Sequence, residues 1–291
     1  MKQTYILAIS GGVDSVVLLH KLAAVKPERI HYIVAHVDHG IRKQSADDAS
    51  FVQKLAEQYG FAYESTQLEL GKDASEAQAR ELRYAFLHEL KRRYKAEAII
   101  TAHHQDDVLE TMVVNLLRGT TARGLIGFTQ PDVIRPFLKT PKQDLIDYAQ
   151  ANSLVWCEDE TNAQTTYLRN YVRHNIMPRL QDHREGFIAV RERLLPIYLE
   201  IDTLCRSLLV QSTKRGELLR SRFVILPVPV QHELLAFWFR LENIPFDEGS
   251  LQRASVAIKT FFPGKSFPLK GNACLIMDKK TILLKNEGGT V

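Results

Sequence analysis

Ser10-Gly11-Gly12-Val13-Asp14-Ser15 puts two glycines, two hydroxyls and a carboxylate within six residues. Glycines let the backbone turn tightly and bring its N–H groups close to an anion. The helical pattern that follows (Val16, Val17, Leu19, Leu22, Ala23) adds a positive dipole end. Ser10 and Ser15 supply further donors for phosphate oxygens. Asp14 would repel a bare phosphate, so its expected task is to hold a Mg²⁺ that bridges phosphate groups. The stretch is neither the long phosphate loop ending in Gly-Lys-Ser/Thr nor GxGxxG. An ordinary strand-to-helix turn also uses glycines and a capping Asp; the short apolar run Tyr5 to Ile9 ahead of it and the helix behind it favour the phosphate reading.

A second group of reactive side chains lies at His103-His104-Gln105-Asp106-Asp107-Val108-Leu109-Glu110. On a helix, Asp107 and Glu110 share one face, and Asp106 with Glu110 share an adjacent one. A helix dipole alone favours carboxylates in a first turn. The histidines raise a metal reading, but this is not a zinc spacing, and hard Mg²⁺ would choose the carboxylates. His36-Val37-Asp38-His39-Gly40-Ile41-Arg42 reads on its residues as a polar loop with a glycine turn. Arg80 and Arg83, early in a long helical pattern, and Arg169 and Arg173, in Arg169-Asn170-Tyr171-Val172-Arg173, read equally well as solvated helix faces.

The elements that must hold these groups alternate. Short β-rich apolar runs at 5–9, 30–37, 62–68 and 98–102 are separated by helical patterns at 16–24, 47–59 and 76–94. That order predicts an α/β fold with a parallel sheet covered on both faces, whose ligands bind beyond the carboxyl ends of the strands. Ser75 with Gln78 predicts a capping box. Thr140-Pro141 with Asp144 predicts an N-cap and a helix to about Ala151. From Arg169 the pattern turns helical, with a linker helix from about Glu185 to Leu209, helices near 231–242 and 251–261, and small strands at 266–270, 273–277 and 281–285. The expected domains are 1–185, catalytic, and 186–291, a smaller α+β and mostly helical unit.

The chain has 291 residues, enough for one large or two ordinary domains. No run approaches the eighteen apolar residues a membrane span needs, and the first residues lead into a strand rather than a leader, so a cytoplasmic protein is expected. Cys157, Cys205 and Cys274 are far apart, which argues against a disulfide framework, a zinc ribbon and an iron–sulfur site. The net charge is −1 over residues 1–185 and +5 over 186–291. The basic excess suggests a polyanion for the second unit. Nothing in the pattern selects between a monomer and a homodimer.

SGGVDS resembles the pyrophosphate loop of the N-type ATP pyrophosphatases, which adenylate a carbonyl oxygen, release pyrophosphate and admit a nucleophile. Five ordered motifs over residues 5 to about 180 narrow the resemblance to the isoleucine tRNA lysidine synthetases: SGGVDS, HVDHGIR, the AR-x-x-RY pattern at Arg80 and Arg83, AHHQDDVLET, and Arg169-Asn170 to Met177-Pro178. The resemblance implies an adenine nucleotide alpha-hydrolase-like domain. ATP, Mg²⁺, free L-lysine and tRNA(Ile) with a CAU anticodon would be its substrates and partners. Position by position, Ser10 to Ser15 and His103 would meet the phosphates, and His36 and Asp38 the adenosine. Asp107 and Glu110 would bind lysine, Arg83 would stabilise pyrophosphate with Arg80 second, and Arg169 and Arg173 would close over ATP or the tRNA loop. Asp159-Glu160-Thr161-Asn162 has Thr where the family has Ser. The C-terminal part resembles a shorter form of the family with one accessory RNA-binding domain and without the further domain of longer members. A cytidine 2-thiolation enzyme would bring paired cysteines, a glutamine-dependent synthetase its glutaminase, and a nucleotide-sensing RNA-binding protein would release no pyrophosphate.

Overall fold

A computed structural model describes residues 3–25, 27–38, 45–68, 76–157, 168–212 and 217–286. Strands β1 (Gln3–Ala8), β2 (Ile30–Asp38), β3 (Ala62–Gln67), β4 (Ala98–Thr101) and β5 (Val133–Ile134) form one sheet in the order β3-β2-β1-β4-β5. Every pair is parallel, with Ala8 opposite Ala35 on one side and Thr101 on the other. Helices α1 (Val13–Val25), α2 (Ser45–Gln58), α3 (Glu76–Arg93), α4 (Gln105–Leu117) and α5 (Lys142–Ala151) connect and cover it.

Successive strand residues face opposite sides, and here both sides are buried. Leu7, Val34 and Ile100 join Val17, Leu18 and Val52 in one core, while Ile6, Ile33 and Ile99 join Leu87 and Leu90 in the other. That is why the strands read as continuous apolar runs rather than alternating ones. The order reverses direction between β1 and β4, so the loops leaving those strands part around a crevice. Ser10–Gly12 and Ala102–His104 are those loops.

Beyond α5, α6 (Leu168–Tyr171), a π-helical turn Val172–Ile176 and a 3₁₀ stretch Met177–His183 lead into α7 (Arg184–Ser212). The chain divides into two compact units, Met1–Glu192 and Arg193–Val291, with the division inside α7, whereas the sequence reading set it at 185/186. The second unit holds β6 (Leu218–Leu219), α8 (Arg220–Val224), α9 (Val228–Leu241), α10 (Glu248–Thr260), β7 (Ser266–Pro268), β8 (Ala273–Met277) and β9 (Thr281–Asn286). Its antiparallel sheet runs β6-β9-β8-β7. Ala273, Leu275 and Met277 of β8 alternate inward onto Phe223, Phe237 and Phe239. Asp247 and Ser250 form a reciprocal cap on α10.

The two-residue strands β5 and β6 and the short α8 were not expected; they are too brief to carry a period. The helix expected to open on Thr140 is capped by Pro141, while the Thr140 carbonyl accepts from Gln105 N–H. Ser75 lies outside the described residues. Among the described residues, no helix is long and apolar enough to cross a membrane.

Candidate active site

The loop after β1 is tied by its own serines. Ser15 Oγ accepts from Gly11 N–H at 3.1 Å and donates to the Gly12 carbonyl at 2.8 Å, with Ser10 Oγ 3.3 Å away. Gly11 has φ +93°, in the left-handed region that side chains disfavour, and a Cβ there would stand 3.3 Å from Val52 Cγ2. Its carbonyl accepts from Cys157 N–H at 2.9 Å. His36, 3% exposed, supports the loop from below, with Nδ1 2.9 Å from the Ile9 carbonyl. Asp38 ends β2 at the same edge of the sheet. Val13 and Asp14 open α1.

Across the crevice, His104 stands immediately before α4. Its Nε2 is 3.5 Å from Asp14 Oδ2 and 3.5 Å from Asp107 Oδ2, so one imidazole joins the glycine loop to the carboxylate helix. Asp107 also accepts from His104 N–H at 3.0 Å. Among the described residues, Asp14 Oδ1 is buried and has no hydrogen-bond partner. Lys142 Nζ approaches Asp14 Oδ2 at 3.8 Å.

The carboxylates expected to receive an amine are already engaged. Glu110, 3% exposed, accepts from Arg173 through both oxygens, at 2.7 and 2.9 Å, and from Arg169 Nε at 3.1 Å. Arg169 Nη2 also reaches Asp107 Oδ1 at 3.2 Å. Two sets of residues assigned separate tasks thus form one network, because α6 and the π-helical turn pack directly on α4. Asp106 serves a different end: Arg184 grips both of its oxygens at 2.6 and 2.8 Å, and its Oδ1 accepts from Lys142 N–H at 3.0 Å.

The two adjacent histidines are driven apart in charge. Burial takes His103 down to about 3, aided by the fields of Arg135, Arg83 and Arg80 and opposed by Asp107. Arg80 and Arg83 act on the site through this field, and both also lie over the Tyr84 ring. His103 Nδ1 sits 2.7 Å from Thr101 Oγ1. Burial works against a charged His104 too, but the hydrogen bond to Asp14 and the fields of Asp107 and Asp14 outweigh it and raise its pKa. Burial similarly opposes ionisation of Asp107, yet His104, His103 and Arg169 hold its pKa below the usual carboxylate range.

Phe128 was not singled out by sequence reasoning. It has φ +59°, rare for an aromatic residue, and its ring lies 4.9 Å from that of His103. Three successive carbonyls of this turn are held by guanidinium groups: Ile126 and Gly127 by Arg191, and Phe128 by Arg135. Lys142 was also passed over, and His104 was weighed only as a metal ligand, not as the link between the two loops. His104 has a signal in its position beside the acidic helix, and Lys142 in being a cation at the start of a helix, where the dipole disfavours it. His39 to Arg42 and Asp159 to Asn162 lie outside the described residues.

Residues 1–180 match the model of a family described as the PP-loop domain. The tRNA(Ile)-lysidine synthase of Bacillus licheniformis is 35% identical over 268 residues, covering 83% of this chain and 56% of that protein. That of Exiguobacterium sibiricum is 40% identical over 191 residues, covering 64% and 45%. The chain spans about half the length of the curated relatives it matches. Among solved structures, the U34-tRNA thiolase NcsA from Methanococcus maripaludis superposes with a TM-score of 0.58 at 21% identity, covering 67% of this chain and 72% of that one, a likeness of fold.

Proposed function

Because this chain belongs to the PP-loop domain family, we propose that it is a ligase that uses ATP to join free L-lysine to the wobble cytidine of tRNA(Ile) with a CAU anticodon. The observation that carries this reading is the His104 imidazole, 3.5 Å from both Asp14 and Asp107, which sets a phosphate-type loop against a cation-binding carboxylate helix at the switch point of the sheet. The curated relatives named above point to the same substrate.

In the first step the C2 carbonyl oxygen of the base attacks the α-phosphorus of ATP and pyrophosphate leaves with the electron pair. In the second, the ε-amine of lysine attacks C2, and AMP departs with that oxygen as the amine gives up a proton. Activation makes a poor leaving group into a good one, the usual gain from splitting one hard step into two. The loop from Ser10 to Ser15 receives phosphate oxygens as the ligand displaces the bonds from Gly11 N–H to Ser15 Oγ and from Ser15 Oγ to the Gly12 carbonyl, with His103, neutral at pH 7, as a further contact. Arg83, with Arg80 second, meets the charge that develops on pyrophosphate. His36 fixes the loop from below and Asp38 faces the adenosine.

Among the described residues, no three His, Cys, Asp or Glu side chains converge as a metal cage. Mg²⁺ in phosphate sites needs only one or two carboxylates, its other ligands being phosphate oxygens and water. Asp14 Oδ1, buried and without a hydrogen-bond partner among the described residues, fits that requirement. The ion would offset phosphate charge there.

Asp107 and Glu110 hold the cationic groups of lysine by competing with Arg169 and Arg173, whose guanidiniums already mark the place as one for cations. The second unit, Arg193–Val291, contacts the tRNA. A concavity of about 580 Å³ on it is lined by Arg220, Lys259, Lys279 and Lys280 with no carboxylate among its lining residues. The expected setting is the cytoplasm.

The test is ATP-dependent incorporation of labelled lysine into two otherwise identical tRNA(Ile) transcripts, one with a CAU and one with a GAU anticodon. Label in the CAU transcript alone, with AMP and pyrophosphate released, is the expected result. ATP consumption with tRNA but no label would overturn the choice of lysine and turn attention to sulfur.

A further inference from the structure

We propose that Lys142 is the side chain that takes the departing pyrophosphate, a polyphosphate ligand held from the side of the crevice opposite the glycine loop. The proposal rests on the ATP reading above and assigns a residue to which that reading gives no part.

Lys142 is the first residue of α5, where the dipole works against a cation; Asp144 in the same turn follows the ordinary preference. A charge placed against its local field points to a task elsewhere. The backbone beneath it is pinned with unusual care. Lys142 N–H donates to Asp106 Oδ1, Asp106 is gripped on both oxygens by Arg184, and the Thr140 carbonyl accepts from Gln105 N–H at 3.0 Å. Two ionised side chains and a backbone bond therefore fix the point from which the lysine reaches out.

The ammonium itself is left loose. Its side chain is 42% exposed, and it stands 3.8 Å from Asp14 Oδ2, beyond hydrogen-bond range. Among the described residues this is its one ion pair, and no hydrogen bond fills its three donors. It is thus held at the glycine loop by Asp14 with its donors still available to phosphate oxygens. When the Pα–O bond to the β-phosphate breaks and the electron pair goes to pyrophosphate, the ammonium meets that charge and gives up no proton.

The experiment measures binding of Mg²⁺-pyrophosphate, Mg²⁺-ATP and AMP to the full chain by calorimetry, comparing wild type with Lys142→Gln and Lys142→Arg. A charge-assisted hydrogen bond of this kind is worth about 10- to 100-fold in affinity. Lys142→Gln is expected to weaken pyrophosphate and ATP by that factor while AMP binding and Tm stay the same, and Lys142→Arg to keep most of the affinity. Unchanged pyrophosphate affinity in Lys142→Gln, or an equal loss for AMP, would overturn the assignment. Failure of the wild-type protein to bind pyrophosphate or ATP at all would instead overturn the ATP reading on which it stands.

Discussion

Replacing Glu110 by Gln keeps the shape of the side chain and removes its charge. The carboxylate is 4% exposed and accepts three guanidinium N–H groups, at 2.7, 2.9 and 3.1 Å. Gln retains one acceptor oxygen and turns an NH₂ donor toward guanidinium donors. Removing one partner of a buried pair costs roughly 3–5 kcal/mol. Arg173 and Arg169 are 30% and 23% exposed, so water can take up part of their charge. A loss of about 2–4 kcal/mol is therefore expected, which for a unit of this size corresponds to a Tm lower by about 4–16 °C. Denaturant unfolding of Glu110→Gln, Arg173→Met and the double variant isolates the pair, with a coupling of at least about 1.5 kcal/mol expected. In the lysine-incorporation assay, the lysine requirement should rise more than the ATP requirement. A coupling below about 0.5 kcal/mol would refute the energetic reasoning, and normal lysine dependence would refute the assignment of Glu110 to the amine.

Two further outcomes test the frame of the site. Gly11→Ala must adopt φ +93° with its Cβ 3.3 Å from Val52 Cγ2, so it should cost about 1–3 kcal/mol and abolish nucleotide binding, read by unfolding and calorimetry together. His103, held down at about 3 chiefly by burial, is protonated in the unfolded chain below about pH 6.5 while its imidazole stays neutral in the folded protein. Stability should therefore fall as pH drops from about 6.5 towards 4.5, by up to about 1.4 kcal/mol per pH unit, above the range in which the depressed Asp106 and Asp107 contribute. His103→Asn should flatten that slope; an unchanged slope would show that another group carries it.

What was legible in the sequence was whatever a short window encodes. Tyr5 to Ile9 and Ile30 to Val37 announced buried parallel strands because both faces of the sheet are covered. The glycine loop announced itself because Gly11 needs a backbone few residues adopt. What was not legible depends on partners far along the chain. Nothing local says that Arg169 and Arg173 will neutralise Glu110, that His36 will bond the Ile9 carbonyl, or that Arg191 will hold the turn at Phe128. Lys142 was missed because the pattern around it served only to predict where a helix begins.

The pairing of Glu110 with Arg169 and Arg173 spans 59 and 63 residues of chain. At about 5–20 residues per second, the ribosome delivers the two cations about 3–13 s after the acid. During that interval α4 must wait with a carboxylate that cannot be buried alone without a large penalty. The first turn of α4 is therefore expected to settle late, after the sheet it leans on, so that the crevice is completed by the arrival of α6. A nascent chain halted before residue 168 should carry the glycine loop and most of the parallel sheet, yet leave the carboxylate wall of the site open to water.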